Sequence, residues 1–350
     1  MAKQRLMAAV TGDGRIITIT QDIPALKDGS VLVEIRASLV SPGTELNGWR
    51  SLAAAREKPN PQAQPKTFGY SCAGVVAEVS SGAEEFKVGD RVACVGGGYA
   101  PHATHGVVPH NLCVALPENV TFQQGAYAML AATALHALRR GEPVFGEYVA
   151  VAGLGLLGQL AGQLHHLAGN YVIGWDTIAF RTDLARRTGF DAAATVGKDD
   201  EVAATKAFTA GRGLDAAVLA FGGDGNAVMR SLQQTLKVTP DGHTMGKIVV
   251  VGNPSFDWPF RASSNAEVRQ AGRTGPGYHD ELWEYGAAYP GVYMRWNTRT
   301  NLELCMRLIS QGRLNVDALT THTIPLADVQ QGIAAIIGEP DRILGVVFTM

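Results

Sequence analysis

The chain has 350 residues, a net charge of −2 from 30 basic and 32 acidic side chains, and 46% apolar residues. That length sets an expectation of two domains with sizeable cores, and the near-neutral, mixed charge offers no electrostatic footprint for nucleic acid or an anionic membrane. No apolar run reaches the roughly 20 residues of a membrane span, and MAKQRLMAAVTG at the start lacks the apolar stretch of a signal peptide, so a cytoplasmic protein is expected.

From the N-terminus, SVLVEIRASLV (30–40), CAGVVAEV (72–79) and DRVACVG (90–96) are β-branched runs bounded by turn-forming residues, and the first third of the chain is expected to be β-rich. FKVGDRV (86–92) reads as a turn feeding a strand. Residues 123–140, QQGAYAMLAATALHALRR, carry Ala and Leu at helical spacing and close on two arginines, which suit a helix C-terminus; this helix is expected to link the domains. From 148 to about 313 strands and helices alternate, and LDAAVLAFGG and GKIVVVGNP stop at glycine, as buried parallel strands do at a ligand crevice. Residues 299–312 read as a helix, and HTIPLADVQQGIAAI as a turn, an N-cap candidate (Asp328) and a helix before a final strand, ILGVVFTM. The four cysteines, Cys72, Cys94, Cys113 and Cys305, are scattered with no CxxC pair, which argues against a disulfide framework or a structural zinc lobe. Each reads as a small apolar residue.

The most informative stretch is 148–176, YVAVAGLGLLGQLAGQLHHLAGNYVIGWD. An apolar strand, a Gly153-Leu154-Gly155-Leu156-Leu157-Gly158 turn, a helix and a second strand ending in Asp176 follow one another as a dinucleotide site requires. Gly153 permits the tight turn, Gly155 leaves no side chain between backbone and pyrophosphate, and Gly158 lets the helix pack close to the strand. The helix N-terminus offers unpaired N–H groups to the phosphates. Asp176 stands 18 residues after Gly158, where an acid accepts hydrogen bonds from an adenosine ribose and repels a 2′-phosphate, so the expected cofactor is NAD. Arg181 either packs over the adenine or accommodates such a phosphate. Phe221-Gly222 and Gly252-Asn253 end strands at the crevice and are expected to touch ribose or nicotinamide through backbone groups. His165 and His166 read as structural.

Gly69…Gly74 in GYSCAG, VGDRV at 88–92, the ALHALRR helix, GLGLLG, Asp176 and THTIPLADVQQGI together resemble the medium-chain dehydrogenase/reductase superfamily over essentially the full chain. The resemblance implies an α/β fold in which a Rossmann doubly wound parallel sheet (138–313) is inserted in a GroES-like, β-rich catalytic domain (1–137 and 314–350), and a homodimer or homotetramer as the assembly. In zinc enzymes of this superfamily the catalytic ligands are a cysteine, a histidine and often a glutamate. Pro42 (in PGTE), Tyr70 (in GYSCAG) and Met129 (in AYAMLAA) stand at the matching places. None of these holds zinc through the usual N, S or O chemistry, and the four-cysteine lobe is missing, so no metal is expected. His102 and His105 in YAPHATH form only a weak His-x-x-His on a loop. VIGWDTIAFRTDLARRTGFD and PGVYMRWNTRTNLELC are similar to the zinc-less branch that includes bacterial glycoside 3-dehydrogenases, and SPGTE at 41–45 to the branch containing bacteriochlorophyllide dehydrogenase.

Oxidation of an alcohol by NAD without a metal requires a side chain that polarises or deprotonates the hydroxyl. By the resemblance Thr44 matches a proton-relay hydroxyl and Glu45 follows it. Glu45 is the first candidate for a base or the anchor of a sugar diol, against a structural acid paired with an arginine. Tyr70 either donates to the substrate oxygen or fills the vacated metal space. Lys66 either lowers the pKa of that tyrosine or is solvated. His102 is a candidate proton carrier at the substrate, against a surface histidine. In the aromatic and charged segment 275–299, Tyr293, Arg295 and Trp296 form either a substrate wall or cofactor lid, or a dimer contact; Trp49 and Arg50 carry the same alternatives. The expected function is zinc-independent, NAD-dependent oxidation of a secondary hydroxyl of a polyhydroxylated ring, a glycoside or cyclitol, to a ketone. The competing readings are an NADPH-dependent quinone or enoyl reductase and a non-catalytic NAD-binding redox sensor.

Overall fold

The β-branched run at Ser30 becomes a ten-residue strand, Ser30–Leu39, buried along nearly its whole length. A strand covered on both faces reads as a continuous apolar run, without the alternation of a half-exposed one. The computed structural model describes residues 3–45, 56–261, 264–292 and 294–350, and contacts divide the chain into one unit of Met1–Ala132 with Thr274–Met350 and another of Thr133–Arg273. In the first unit, Ser30–Leu39 pairs antiparallel with Ser71–Val79, with His105–Pro109 and with the last strand, Gly345–Thr349. The pairs Leu39↔Val347 and Ser38↔Phe348 thereby join the two ends of the sequence in one seven-stranded sheet. Helix Val329–Gly338 connects the parallel strands Thr320–Pro325 and Gly345–Thr349 and buries Val329, Ile333 and Ile336 in a core shared with Phe348.

The second unit holds a six-stranded parallel sheet. Its strands are Tyr148–Ala152, Tyr171–Asp176, Ala192–Thr195, Ala216–Leu219, Met245–Val250 and Asn265–Gln270. Numbered by sequence, they lie in the order third, second, first, fourth, fifth, sixth, each paired in parallel with its neighbour. This is the doubly wound order in which the chain reverses direction of travel between first and fourth strands, leaving a crevice at their carboxyl ends. The strands of the core carry small and branched residues such as Ala150, Ile173 and Val250. Trp175 fills the largest volume and gives its indole N–H to Thr205 Oγ1 at 3.1 Å.

Three sequence expectations change in detail. The helix read over 123–140 is two helices, Phe122–Gly125 and Ala128–Gly141, the first closed by a reciprocal capping box between Thr121 and Gln124. Asp328 occupies the N-cap position of the final helix, but its side chain makes no capping hydrogen bond. The cysteines are not scattered in space. Cross-strand register sets Cys72 opposite Cys94 and Cys94 opposite Cys113, with the Cys94 and Cys113 sulfurs 3.5 Å apart. All four are buried and outside any disulfide, and desolvation pushes the Cys94 thiol up, as suits a packed core. Among the described residues no helix is long and apolar enough to cross a membrane.

Helix Leu156–Leu167 ends over a buried imidazole whose role is structural. Asn170 gives its amide to Val144 O, so its Oδ1 faces His165 Nδ1 at 3.0 Å and accepts from it. Nε2 is then a bare, buried lone pair with no partner among the described residues. Protonating it would place a charge in the core, and desolvation lowers the His165 pKa from 6.5 to about 4. Because the folded value lies below the unfolded one, the contribution is present above pH 6.5 and is lost as pH falls toward about 4, amounting to about 3 kcal/mol. Chemical denaturation across that window is expected to show His165→Gln losing less stability than the parent chain. Equal losses would mean that His165 titrates normally.

Candidate active site

The glycine turn after strand Tyr148–Ala152 meets each demand separately. Gly153 has φ +85°, and a Cβ there would press on Phe221 and Ala220 of the neighbouring strand end. A Cβ on Gly158 would overlap the carbonyl oxygen of Gly153, so the helix reaches the turn only because that position is bare. A Cβ on Gly155 would meet nothing within 4 Å: this glycine borders open space. Gly155 is the N-cap of helix Leu156–Leu167 and supplies no side-chain cap, so the amides of Leu156, Leu157 and Gly158 form an uncapped first turn.

Asp176 closes the turn from the adjacent strand. Its Oδ2 accepts the Leu154 N–H at 2.7 Å and its Oδ1 the Ile178 N–H at 2.9 Å. The Leu154 amide is therefore committed to Asp176, and Leu154 is fully buried, whereas Leu157 is partly exposed. Each carboxylate oxygen retains a second lone pair for a ligand hydroxyl. Arg181 places Nη1 3.6 Å from Asp176 Oδ2, an ion pair across the same corner, while its carbonyl accepts from Gln159. At the ends of the fourth and fifth strands, Gly222–Asp224 and Asn253–Ser255 form a short parallel pair. The Asn253 N–H reaches Phe221 O at 2.9 Å, and a Cβ on Gly252 would overlap the Phe221 backbone. Phe221, Gly222, Gly252 and Asn253 thus lie together at the carboxyl edge of the sheet, beside the glycine turn.

In the first unit a polar cluster gathers around Glu45. Strand Ser30–Leu39 runs out at Ser41, and Pro42, Gly43, Thr44 and Glu45 take up helical backbone. Glu45 is 7% exposed, Thr44 is exposed and Tyr70 is partly buried. Glu45 Oε2 lies 3.3 Å from His102 Nε2 and accepts the Ser41 N–H at 3.3 Å; Oε1 is buried with no hydrogen-bond partner among the described residues. His102 has no exposed surface, and its Nδ1 lies 2.7 Å from Ser38 Oγ. This corrects the expectation of a surface histidine, and it leaves His102 no accessible face with which to touch a substrate directly. Burial first, then the charge of Glu45, holds the Tyr70 phenol far above its usual value, with Ser41 and Thr44 as hydrogen-bonding neighbours that offset this only in part. Tyr70 therefore stays protonated and acts as a donor. Lys66 is exposed, and no lysine figures among the groups that set the Tyr70 phenol.

The places of zinc ligands in the resembling enzymes also meet in this unit. Tyr70 contacts the Ser41–Glu45 turn that contains Pro42, and the next residue, Ser71, accepts the Met129 N–H at 3.2 Å. A catalytic zinc needs three protein ligands and an open position. Pro42 has no donor atom, Tyr70 is held as a phenol, and Glu45 with His102 makes a pair only. Among the described residues no three His, Cys, Asp or Glu side chains are grouped to hold a metal. The donor set does not fit zinc.

Other expected residues stand apart or beyond view. Trp49, Arg50 and Tyr293 lie outside the described residues. Arg295 is exposed and stacks its guanidinium on Trp296 at 4.6 Å, and Trp296 lines a surface pocket of about 380 Å³ with Thr300, Glu303, Leu304 and Arg307. The member of segment 275–299 that comes to the cluster is Tyr278. Its hydroxyl accepts the Gly97 N–H at 3.0 Å, its ring lies 4.1 Å from that of His279, and its phenol adds to the upward push on Tyr70. The aromatic density of the segment was a visible signal; which tyrosine it delivers was not.

Residues 27–153 match the family model of the alcohol dehydrogenase GroES-like domain. Over 330 residues the chain is 28% identical to the L-threonine 3-dehydrogenase of Pyrococcus furiosus, covering 86% of each chain. It is 26% identical over 315 residues to the D-guloside 3-dehydrogenase of Escherichia coli K12, covering 87% of this chain and 84% of that one. The solved structure of a short chain alcohol dehydrogenase from Escherichia coli CFT073, complexed with cofactor NADH, matches the fold with a TM-score of 0.76 at 17% identity, covering 100% of both chains. A GroES-like domain matched over residues 27–153, a parallel sheet in doubly wound order and dehydrogenase relatives aligned over most of their length support the resemblance of the chain to the medium-chain dehydrogenase/reductase superfamily of oxidoreductases.

Proposed function

We propose that this protein is a zinc-independent, NAD-dependent dehydrogenase that oxidises a secondary hydroxyl of a polyhydroxylated ring, a glycoside or cyclitol, to the ketone. The observation that carries this reading is the buried Glu45 carboxylate, with Oε1 unpartnered among the described residues, beside a protonated Tyr70 at the place of a zinc ligand. Glu45 takes the hydroxyl proton, or holds a neighbouring hydroxyl of a diol, and Tyr70 donates to the oxygen on which negative charge develops. Thr44, exposed at the edge of the cluster, links that oxygen to solvent. NAD, when bound, accepts the carbon-bound hydrogen with its electron pair.

The open space at Gly155 and the uncapped helix suit a pyrophosphate, and Asp176 suits an unphosphorylated ribose, which supports NAD over NADP. The relative named D-guloside 3-dehydrogenase supports a ring hydroxyl as the substrate group. Tyr278 and His279 add aromatic surface for the C–H face of such a ring. The edge strand Asn265–Gln270, exposed along much of its length, supports a homodimer or homotetramer, and four cysteines outside any disulfide support a reducing, cytoplasmic setting.

Reduction of NAD against a panel of glycosides, inositols and simple alcohols tests the reading. Turnover on polyols with NAD is expected. Turnover on simple alcohols alone would remove the sugar assignment, preference for NADPH with a quinone would identify a reductase, and binding of NAD without any turnover would identify a sensor. Gly155→Ala tests the cofactor site by itself. The added methyl meets no protein atom, so thermal stability is expected to hold while the Kd for NAD rises about tenfold or more. An unchanged Kd would place the dinucleotide elsewhere.

A further inference from the structure

The expected proton carrier His102 is sealed in the core, yet it touches the one side chain on which the proposed chemistry turns. A carboxylate oxygen only accepts, so the contact between Glu45 Oε2 and His102 Nε2 at 3.3 Å requires the proton on Nε2. In the neutral ring Nδ1 is then the acceptor, and the Ser38 hydroxyl, 2.7 Å away, donates to it. The imidazole has no freedom to turn out of this line. Phe68 and Phe348 meet it edge-on from either side, with ring centroids at 5.2 and 5.1 Å. Gly69, at φ +100°, has no Cβ where one would overlap the His102 backbone and crowd its ring. Strand pairing fixes the far end, because Ser38 lies directly opposite Phe348. Among the described residues the charged and titratable groups that bear on the Glu45 carboxylate are His102 and Tyr70, and of these His102 is the one within hydrogen-bonding distance of it.

From this we infer that His102, backed by Ser38, is a positioning residue: it pins Glu45 by Oε2 and leaves Oε1 as the acceptor presented to the substrate hydroxyl. The inference rests on the proposed alcohol oxidation. Two oxygens of one carboxylate are given unequal tasks. Oε2 takes the His102 and Ser41 N–H groups, and among the described residues Oε1 takes none. A carboxylate free to rotate would exchange the two oxygens and lose the fixed approach that a proton transfer needs.

Steady-state kinetics on four variants, with the best polyol of the panel and NAD, tests this. His102→Leu keeps the apolar packing and removes the donor, and is expected to lower kcat about a hundredfold with the KM for NAD unchanged. His102→Gln, whose amide can reach the same oxygen, is expected to recover about tenfold of that loss. Combined with Glu45→Gln, His102→Leu is expected to add no further loss, because both act through one carboxylate. Losses that multiply in the double variant, or His102→Gln as poor as His102→Leu, would overturn the inference. If His102→Leu does not fold, Ser38→Ala carries the same test: a smaller fall in kcat that disappears in the Glu45→Gln background supports it, and one that persists there overturns it. A parent enzyme active on polyols with failing variant predictions sinks this inference alone, whereas no turnover by the parent on any alcohol sinks the proposed function and the inference together.

Discussion

A carboxylate withdrawn from water has to be matched by donors, and the first unit is arranged around that requirement at Glu45. Its side chain is 4% exposed and the His102 side chain not at all. Removing one partner of such a buried pair generally costs about 3–5 kcal/mol, since the other is left uncompensated. The residues that enforce the match come from distant parts of the sequence: Ser38 at the end of the central strand, Gly69 before the next, and Phe348 two residues from the C-terminus. The pairing of the last strand with Ser30–Leu39 supplies the wall against which the imidazole is held.

The second unit solves a different problem with the same economy of groups. Asp176 fastens the glycine turn through the Leu154 N–H. In the proposed NAD site the same carboxylate meets the ribose, so one side chain would couple the shape of the turn to the choice of dinucleotide. The nearby Arg181, paired with Asp176 at 3.6 Å, shares its charge with that carboxylate before any ligand arrives. Replacing Asp176 alone would loosen the turn.

Much of this was legible in the sequence where the determining interactions are local. The glycine turn, its helix and the acid at the end of the second strand lie within 148–176, and spacing alone carries their meaning. The run of strands ending in glycine likewise yields a parallel sheet. Residues whose meaning depends on register were not legible. Glu45 and His102 are 57 positions apart and meet only because strand pairing brings the His102 loop against the Ser41–Glu45 turn. Cys72, Cys94 and Cys113 look scattered until antiparallel pairing sets them directly opposite one another on three neighbouring strands. In the aromatic segment, composition marked a region, but the loop backbone that presents Tyr278 to the cluster, with His279 at φ +72°, has no signature in residue type. The short break between Gly125 and Ala128 was hidden by the alanines on either side, which continue a helical period through it.

In the proposed reading proton handling falls to Glu45 and Tyr70, and among the described residues no third His, Cys, Asp or Glu joins Glu45 and His102 to hold a metal. The most direct test is to measure metal content and NAD-dependent turnover on the same protein sample before and after exhaustive treatment with a zinc chelator. Full turnover at far less than one zinc per chain is the predicted result. Turnover that falls in proportion to the zinc removed, and returns when zinc is restored, would contradict it.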